Sequence, residues 1–329
     1  MIRAQDDNSG VILIALLWIL TAISVIALSF SRESFVEVAA ARNALDLSEG
    51  YYIARAGMAY TIYQLLDKRS TPQLKQLELP QAPDPIELGR VAGTFGDGEY
   101  DVDVQDESAK INVNFATDEQ LRNLMLALGI EQRDADIMVD SIMDWKDADN
   151  LHRANGGEDE FYQALNPPYK AKNSKIDTVE ELLLIRGVTK QYYYGFSEKT
   201  TEGAIAYRYG LSRYLTVYSN SNRINVNYAS VPVLMSIPGM PPQVAQMIYE
   251  RRRVKPFQTV EEITKDVAAT LTASVMPFLS TDHTGIYTLT ALGRRMGSKV
   301  QRVIRAVVSL DPRESARYKF IYWNENVAN

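Results

Sequence analysis

The sequence predicts an α+β fold: one long N-terminal helix packed on an antiparallel sheet, with a large all-α segment inserted in the chain. Three observations predict it. Val11 to Phe30 is a long uncharged run, and it continues into an amphipathic stretch with no proline before Pro72. Strand-like alternation occurs near residue 100 and again late in the chain. Between the first two strand candidates, residues from about 114 to 208 read mainly as helix.

The apolar run is long enough to cross about 30 Å of hydrocarbon at roughly 1.5 Å per residue. It exceeds the ordinary apolar core of a secretory signal, and no small-x-small cleavage site follows it. It therefore reads as a retained single anchor. Behind it, Ala44, Leu47, Tyr51, Ala54, Met58, Ile62 and Leu65 recur every three or four residues, which places them on one helical face. The two stretches form one predicted helix from about Val11 to Lys68, roughly 85 Å long. Gly50 and Gly57 each weaken such a helix by about 1 kcal/mol against alanine and mark a place for a bend.

Ser70 to Arg90 is rich in proline and polar residues and reads as a connector. In GDGEYDVDVQDES, Tyr100, Val102 and Val104 alternate with Asp101, Asp103 and Gln105, the pattern of a half-buried strand. Tyr214–Tyr218, Ile286–Ala291 and Val300–Leu310 read as further strands, the last two joined through Gly293 and Gly297.

An internal repeat runs through the middle of the chain. Lys110-Ile-Asn-Val-Asn-Phe-Ala116 recurs as Arg223-Ile-Asn-Val-Asn-Tyr-Ala229, and Thr178-Val-Glu-Glu181 recurs as Thr259-Val-Glu-Glu262. Each copy reads as INVN, a helix, a glycine turn (Gly129 or Gly239), a second helix, and a helix start with threonine as N-cap and glutamate three residues later. The second pair is separated by less chain than the first, so the first copy is the longer, and its surplus is expected between Asp144 and Lys175.

Composition excludes several functions. The 329-residue chain has a net charge of −6, against a dedicated nucleic-acid binder, and no cysteine, hence no disulfide framework or thiolate metal site. Its two histidines, His152 and His283, stand in no metal or triad pattern. No convergent nucleophile and base appear, so the chain does not read as an enzyme.

One block carries possible chemistry. Asp144, Asp147, Asp149, Asn150, Asn155, Glu158, Asp159 and Glu160 crowd around Gly156-Gly157. Hard oxygen donors on a glycine-permitted loop suit Ca²⁺, although the spacing is not that of an EF-hand. The same block also reads as a solvated acidic loop. A second motif, Ile237-Pro-Gly-Met-Pro-Pro242 followed by QVAQMIYERRR, resembles a helix-hairpin-helix (SAM-like) repeat, in which backbone amides approach a DNA phosphate. Arg251, Arg252 and Arg253 would add charge, which makes a membrane-anchored DNA receptor the alternative reading. The Pro-Gly-Met-Pro hairpin, Glu131 beside the parallel Gly129 turn, and the acidic balance all oppose it.

A glycine directly before a long apolar helix, behind a short polar leader, resembles the prepilin family. The segments GVILIALLWILTAISVIAL, DESAKINVNFA, DWKDADNLHRANGGEDEFY, NPPYKAKN with DTVEELLLIRGV, and NRINVNYASVPVLMSIPGM resemble, in that order, the minor pseudopilin K family of type II secretion systems. The resemblance implies a pilin-like fold and cleavage by prepilin peptidase between Gly10 and Val11, with methylation of the new N-terminus. Most prepilins carry a glutamate four residues beyond the cut, where this chain has Ala15. A carboxylate in hydrocarbon needs a partner, in that family the terminal amine of a neighbouring subunit. Without it the chain suits a position with no subunit ahead. The resemblance further implies a structural Ca²⁺ in the inserted helical domain, for which Asp147, Asp149, Asn155 and Glu158 are the candidate ligands, and minor pseudopilins I and J as partners. It implies a single-pass inner-membrane protein with a periplasmic body, and export of proteins across the outer membrane. The leader sets Arg3 against Asp6 and Asp7, so this orientation comes from the resemblance and not from charge. No nucleic acid and no small-molecule substrate are expected. The expected layout is leader 1–10, membrane half of the helix 11–30, amphipathic helix with connector and first strand 31–113, inserted helical domain 114–208, and the rest of the pilin-like domain, with the second hairpin unit, 209–329.

Overall fold

The computed structural model describes residues 9–70, 87–199, 205–267, 274–310 and 317–325. Helix α1 (Ser9–Ser70) leads into strands β1 (Glu87–Phe95) and β2 (Gly98–Asp106). Then come β3 (Ile111–Asn112), α2 (Asp118–Ala127), α3 (Gln132–Lys146), α4 (Asp159–Gln163), α5 (Lys190–Tyr194), β4 (Gly195–Lys199), β5 (Ile205–Tyr209) and β6 (Leu215–Thr216). They are followed by β7 (Ile224–Asn225), α6 (Val231–Ser236), α7 (Pro242–Val254), α8 (Glu261–Asp266) and β8 (Leu279–Ser280). Last come β9 (Ile286–Arg295), β10 (Gln301–Ser309) and β11 (Lys319–Asn324).

The main sheet has the order β1-β2-β9-β10-β11 and is antiparallel throughout. Strands β2 and β9 are neighbours in space, yet the described segments from 107 to 285 contribute no strand to this sheet. The helical unit therefore sits between two adjacent strands and holds both repeats, not only residues 114–208. The strand expected at 214–218 is instead the short β6, which pairs in parallel with β3 inside that unit. Alternation alone does not name a strand's partner. Strand β1 takes up the end of the expected connector, whose residues 71–86 lie outside the described ones, as do 1–8 of the expected leader.

Helix α1 is continuous through Gly50 and Gly57, and close approach to the sheet explains both. A Cβ on Gly57 would stand 2.5 Å from the Tyr100 ring, and one on Gly293 of β9 would collide with the Gly50 carbonyl. The packed face begins near Gly50. Ala54, Met58 and Ile62 form a core with Val102, Val104, Leu289, Ala291, Ile304 and Ala306, whereas Ala44 and Leu47, expected on that face, are exposed. Every side chain from Leu13 to Leu45 is exposed, so the apolar half of the helix projects beyond the body. Among the described residues it is the one helix long and apolar enough to cross a membrane.

The helical unit has its own core, shared by the two repeats. Strand β3 pairs with β6, and β7 with β8, each as a short parallel ladder. In copy one, Asn112 donates to the Ser219 carbonyl and accepts from the Asn114 amide at 2.9 Å. In copy two, Asn225 donates to the Asp282 carbonyl and accepts from the Asn227 amide, both at 3.0 Å. Thr117 and Ser230 cap the first helix of their copies, and Gly129 and Gly239 both take φ 79° in the turns. The surplus of copy one is shared out: α2 and α3 have 10 and 15 residues against 6 and 13 in α6 and α7, and the loop after α3 holds the remainder. The threonine caps expected at Thr178 and Thr259 do not form. Glu181 and Glu262 instead reach back to the amides of Asp177 and Gln258.

Side-chain contacts join unit and sheet at three places among the described residues. Lys110 and Glu107 form a fully buried pair at 2.6 Å, and Thr288 of β9 donates to the same carboxylate. Burial pushes the Glu107 carboxyl up, but the Lys110 ammonium outweighs this and holds its pKa below the ordinary range. His283 Nδ1 lies 2.7 Å from Asp106 Oδ2. Tyr322 of β11 donates to Glu180 at 3.1 Å, with Arg305 of β10 3.8 Å from the same oxygen.

Candidate metal centre

The end of α3 and its C-cap carry three carboxylates at helical spacing, Asp140, Asp144 and Asp147. Two of them hold the loop that follows. Asp140 accepts from the backbone and side-chain nitrogens of Asn155, both at 3.0 Å, and Asp144 accepts from the Arg153 amide at 3.1 Å. Arg153 in turn bonds Asp118 at 2.5 Å. The buried Gly156 has to be glycine, because a Cβ there would run into the Asp144 carboxylate. This fold-back returns Glu158, at the start of α4, to the end of α3.

Asp147, Asp149 and Glu158 converge, with one carboxylate oxygen of each within 4.8 Å of the others. Two oxygens on opposite sides of a Ca²⁺ would stand about 5 Å apart, so the spacing fits that ion. Glu158 is only 4% exposed, and neither of its oxygens has a hydrogen-bond partner; Asp147 Oδ1 is likewise buried and unpartnered. Burial, then repulsion from Asp144, Asp147 and Asp149, pushes the Glu158 pKa up to about 7. Burial and Asp149 raise that of Asp147. Buried carboxylates without donors are costly, and a hard divalent cation removes that cost. The set fits such an ion.

Of the four candidate ligands the sequence singles out, the structure brings three together. Asn155 is exposed, and its amide nitrogen is tied to Asp140. A residue the sequence did not mark stands beside the cluster. Asn173, at φ 48°, donates to the Asp149 carbonyl at 2.8 Å and keeps a buried, unpartnered Oδ1. Only its place in NPPYKAKN, at the end of the surplus loop, hinted at it. Gly10 and Val11, the expected processing pair, lie in the first turns of α1.

The second hairpin gives its arginines to the fold. Arg252 is buried and donates to the Val226 and Ala229 carbonyls, each at 2.5 Å. Arg251 bonds Asp266 at 2.5 Å and lies over the Phe257 ring, and Arg253 stands 3.9 Å from Glu250. Arg251 and Arg252 are thus committed within the protein, whereas Arg253 stays exposed.

Comparison with known proteins agrees with the geometry. Residues 101–197 match the family model of type II secretion system protein K, and residues 219–267 that of a helix-hairpin-helix motif. The type II secretion system protein K of Pseudomonas aeruginosa is 27% identical over 210 residues, 60% of this chain and 58% of that protein. The protein K of Aeromonas hydrophila is 25% identical over 201 residues, 56% of this chain and 61% of that one. The chain thus spans about three fifths of the length of these curated relatives. In fold it is similar to a chain of the GspK-GspI-GspJ complex of enterotoxigenic Escherichia coli, with a TM-score of 0.59 at 16% identity, covering 84% of this chain and 96% of that one. In its matched segment, in these relatives and in fold, the chain is similar to the type II secretion system protein K family.

Proposed function

We propose that the chain is a minor pseudopilin at the tip of a type II secretion pseudopilus, where it initiates filament assembly and supports protein export across the outer membrane. The observation that carries this reading is the placement of the helical unit. It occupies the connection between adjacent strands β2 and β9, which broadens the head at the end of a rod whose apolar half is free of the body. A head of that breadth leaves no room for a further subunit ahead, and Ala15 offers no carboxylate to one. The apolar half is anchored in the inner membrane before assembly, with the body in the periplasm, and prepilin peptidase cuts between Gly10 and Val11. The partners are minor pseudopilins I and J, a reading supported by the complex in which the structural neighbour occurs. The role is assembly and not catalysis, in keeping with relatives that are secretion-system proteins. Imaging of labelled chain in assembled filaments tests it: a single copy at one end is expected, and copies along the shaft would overturn the reading.

The acidic cluster is proposed as a structural Ca²⁺ site held by Asp147, Asp149 and Glu158. When bound, the ion supplies the positive charge that the buried carboxylates lack and fixes the loop after α3. The DNA-receptor reading loses support in the commitment of Arg251 and Arg252 within the fold. Duplex DNA at low salt is expected to show no binding.

A further inference from the structure

We infer that the ion at Asp147, Asp149 and Glu158 also controls how firmly the helical unit is held on the sheet, with the 3-10 turn Val179–Leu184 as the linking element. The inference rests on the metal reading and goes beyond it. The surplus loop of copy one does not float over the unit; it grips this turn and its flanks from several directions. Lys172 donates at 2.7 Å to both Asp177 and Glu181. The Tyr169 hydroxyl donates to the Leu184 carbonyl at 2.7 Å. Arg186, just beyond the turn, donates to the Gly156 carbonyl at 2.5 Å, within the fold-back that delivers Glu158. The far side of the same turn meets the sheet, where Glu180 receives Tyr322 and Arg305. Neighbouring glutamates of one short turn thus face opposite ways, Glu181 toward the loop and Trp145, Glu180 toward β10 and β11.

A 3-10 turn is short and poorly bonded, so its position depends on what holds it. With the ion bound, the loop is fixed and the turn is pressed into place. Without it, three crowded carboxylates repel one another, the loop loosens, and Glu180 loses its orientation toward Arg305 and Tyr322. The direction of the head relative to the rod then becomes variable. A tip that must present one surface to two partners needs that direction fixed. Thermodynamic linkage makes the effect reciprocal: whatever weakens the Glu180 contact weakens the ion.

The test uses the full-length chain in detergent micelles, titrated calorimetrically with CaCl₂ alone. The double variant Glu180→Gln with Tyr322→Phe touches no ligand and is expected to bind calcium about fivefold more weakly than the parent. In the parent, amide exchange of 303–308 and 319–324 is expected to slow on adding calcium, together with that of the loop. Equal affinities, with exchange changes confined to 147–173, would overturn the coupling and leave the metal site standing. No heat and no change in exchange would overturn both. The exchange measurement on the parent decides the matter if the variant folds poorly.

Discussion

Lys146 and Arg252 play the same part in the two halves of the helical unit: each is a cation, Lys146 half-buried and Arg252 buried, that donates to the valine carbonyl within its INVN segment and to that of the alanine just beyond it. Lys146 reaches Val113 and Ala116 at 2.9 and 3.0 Å, and Arg252 reaches Val226 and Ala229. The carbonyls correspond residue for residue in the repeat, but the cations do not, because Lys146 lies a helical turn farther from its glycine than Arg252 does. Burial is the main cause that lowers the Lys146 pKa to about 8.

Arg252→Met should therefore destabilise the protein by about 3 kcal/mol, since it leaves two buried carbonyls without donors. Arg252→Lys should recover part of the loss, because an ammonium serves the same purpose in the other repeat. Arg253→Ala, at an exposed ion pair, should change stability by less than about 0.5 kcal/mol. Chemical denaturation of the three variants checks the order. Equal effects at 252 and 253 would contradict the structural role.

Asn114 and Asn227 should be as sensitive. Asn114 exchanges two bonds with Ile176, both at 2.9 Å, 62 residues away, and Asn227 makes the same pair with Phe257, 30 residues away. The first span is longer by the surplus of copy one, so each clamp closes its repeat whatever the loop holds. Asn227→Ala should cost about 2 kcal/mol. Asn114→Ala should cost as much and also weaken calcium binding, because it frees the end of the metal loop. Calcium titration of both variants checks this: weakening is expected in the first alone.

Gly293→Ala should be worse tolerated than Gly57→Ala. The new Cβ meets backbone atoms of α1 at 293 but a side-chain ring, Tyr100, at 57. A ring can shift, and a helix packed on a sheet moves only as a body. Overpacking costs about 1–3 kcal/mol, with Gly293→Ala at or above the top of that range. Thermal melts of the two variants give the ranking.

These relations show what the sequence could and could not announce. The long helix was legible because an uninterrupted 3.6-residue period has few other solutions. Strands β2, β9 and β10 were legible from alternation and β-branched content. Strand β1, behind a proline-rich stretch and rich in glycine, and the short edge strand β11 carry no such period. The repeat was plain in INVN, yet nothing local says that its last asparagines, Asn114 and Asn227, clamp segments 62 and 30 residues away. The same limit applies at the metal cluster. The sequence gathers the acids of the loop, but only folding separates Asn155, which faces Asp140, from Glu158, which faces the cluster.

The buried Glu158 gives a prediction with a definite sign in pH. Its pKa in the metal-free fold is about 7, against an ordinary 4.5, with burial as the first cause. Between these values the folded state binds a proton that the unfolded state has lost, so metal-free stability falls as pH rises from about 4.5 to 7. The protonated acid is tolerated in its dry site, whereas the carboxylate is not. Calcium reverses the preference, because the ion binds the carboxylate and competes with the proton. Melting temperatures taken from pH 5 to 7.5 in a chelator should decline for the parent and stay flatter for Glu158→Gln, which has no charge to bury. With millimolar calcium the parent's decline should shrink or invert, and the Gln variant should gain little at any pH. A parent whose melting temperature rises with pH in the chelator, or a Gln variant stabilised by calcium as much as the parent, would remove Glu158 from the site.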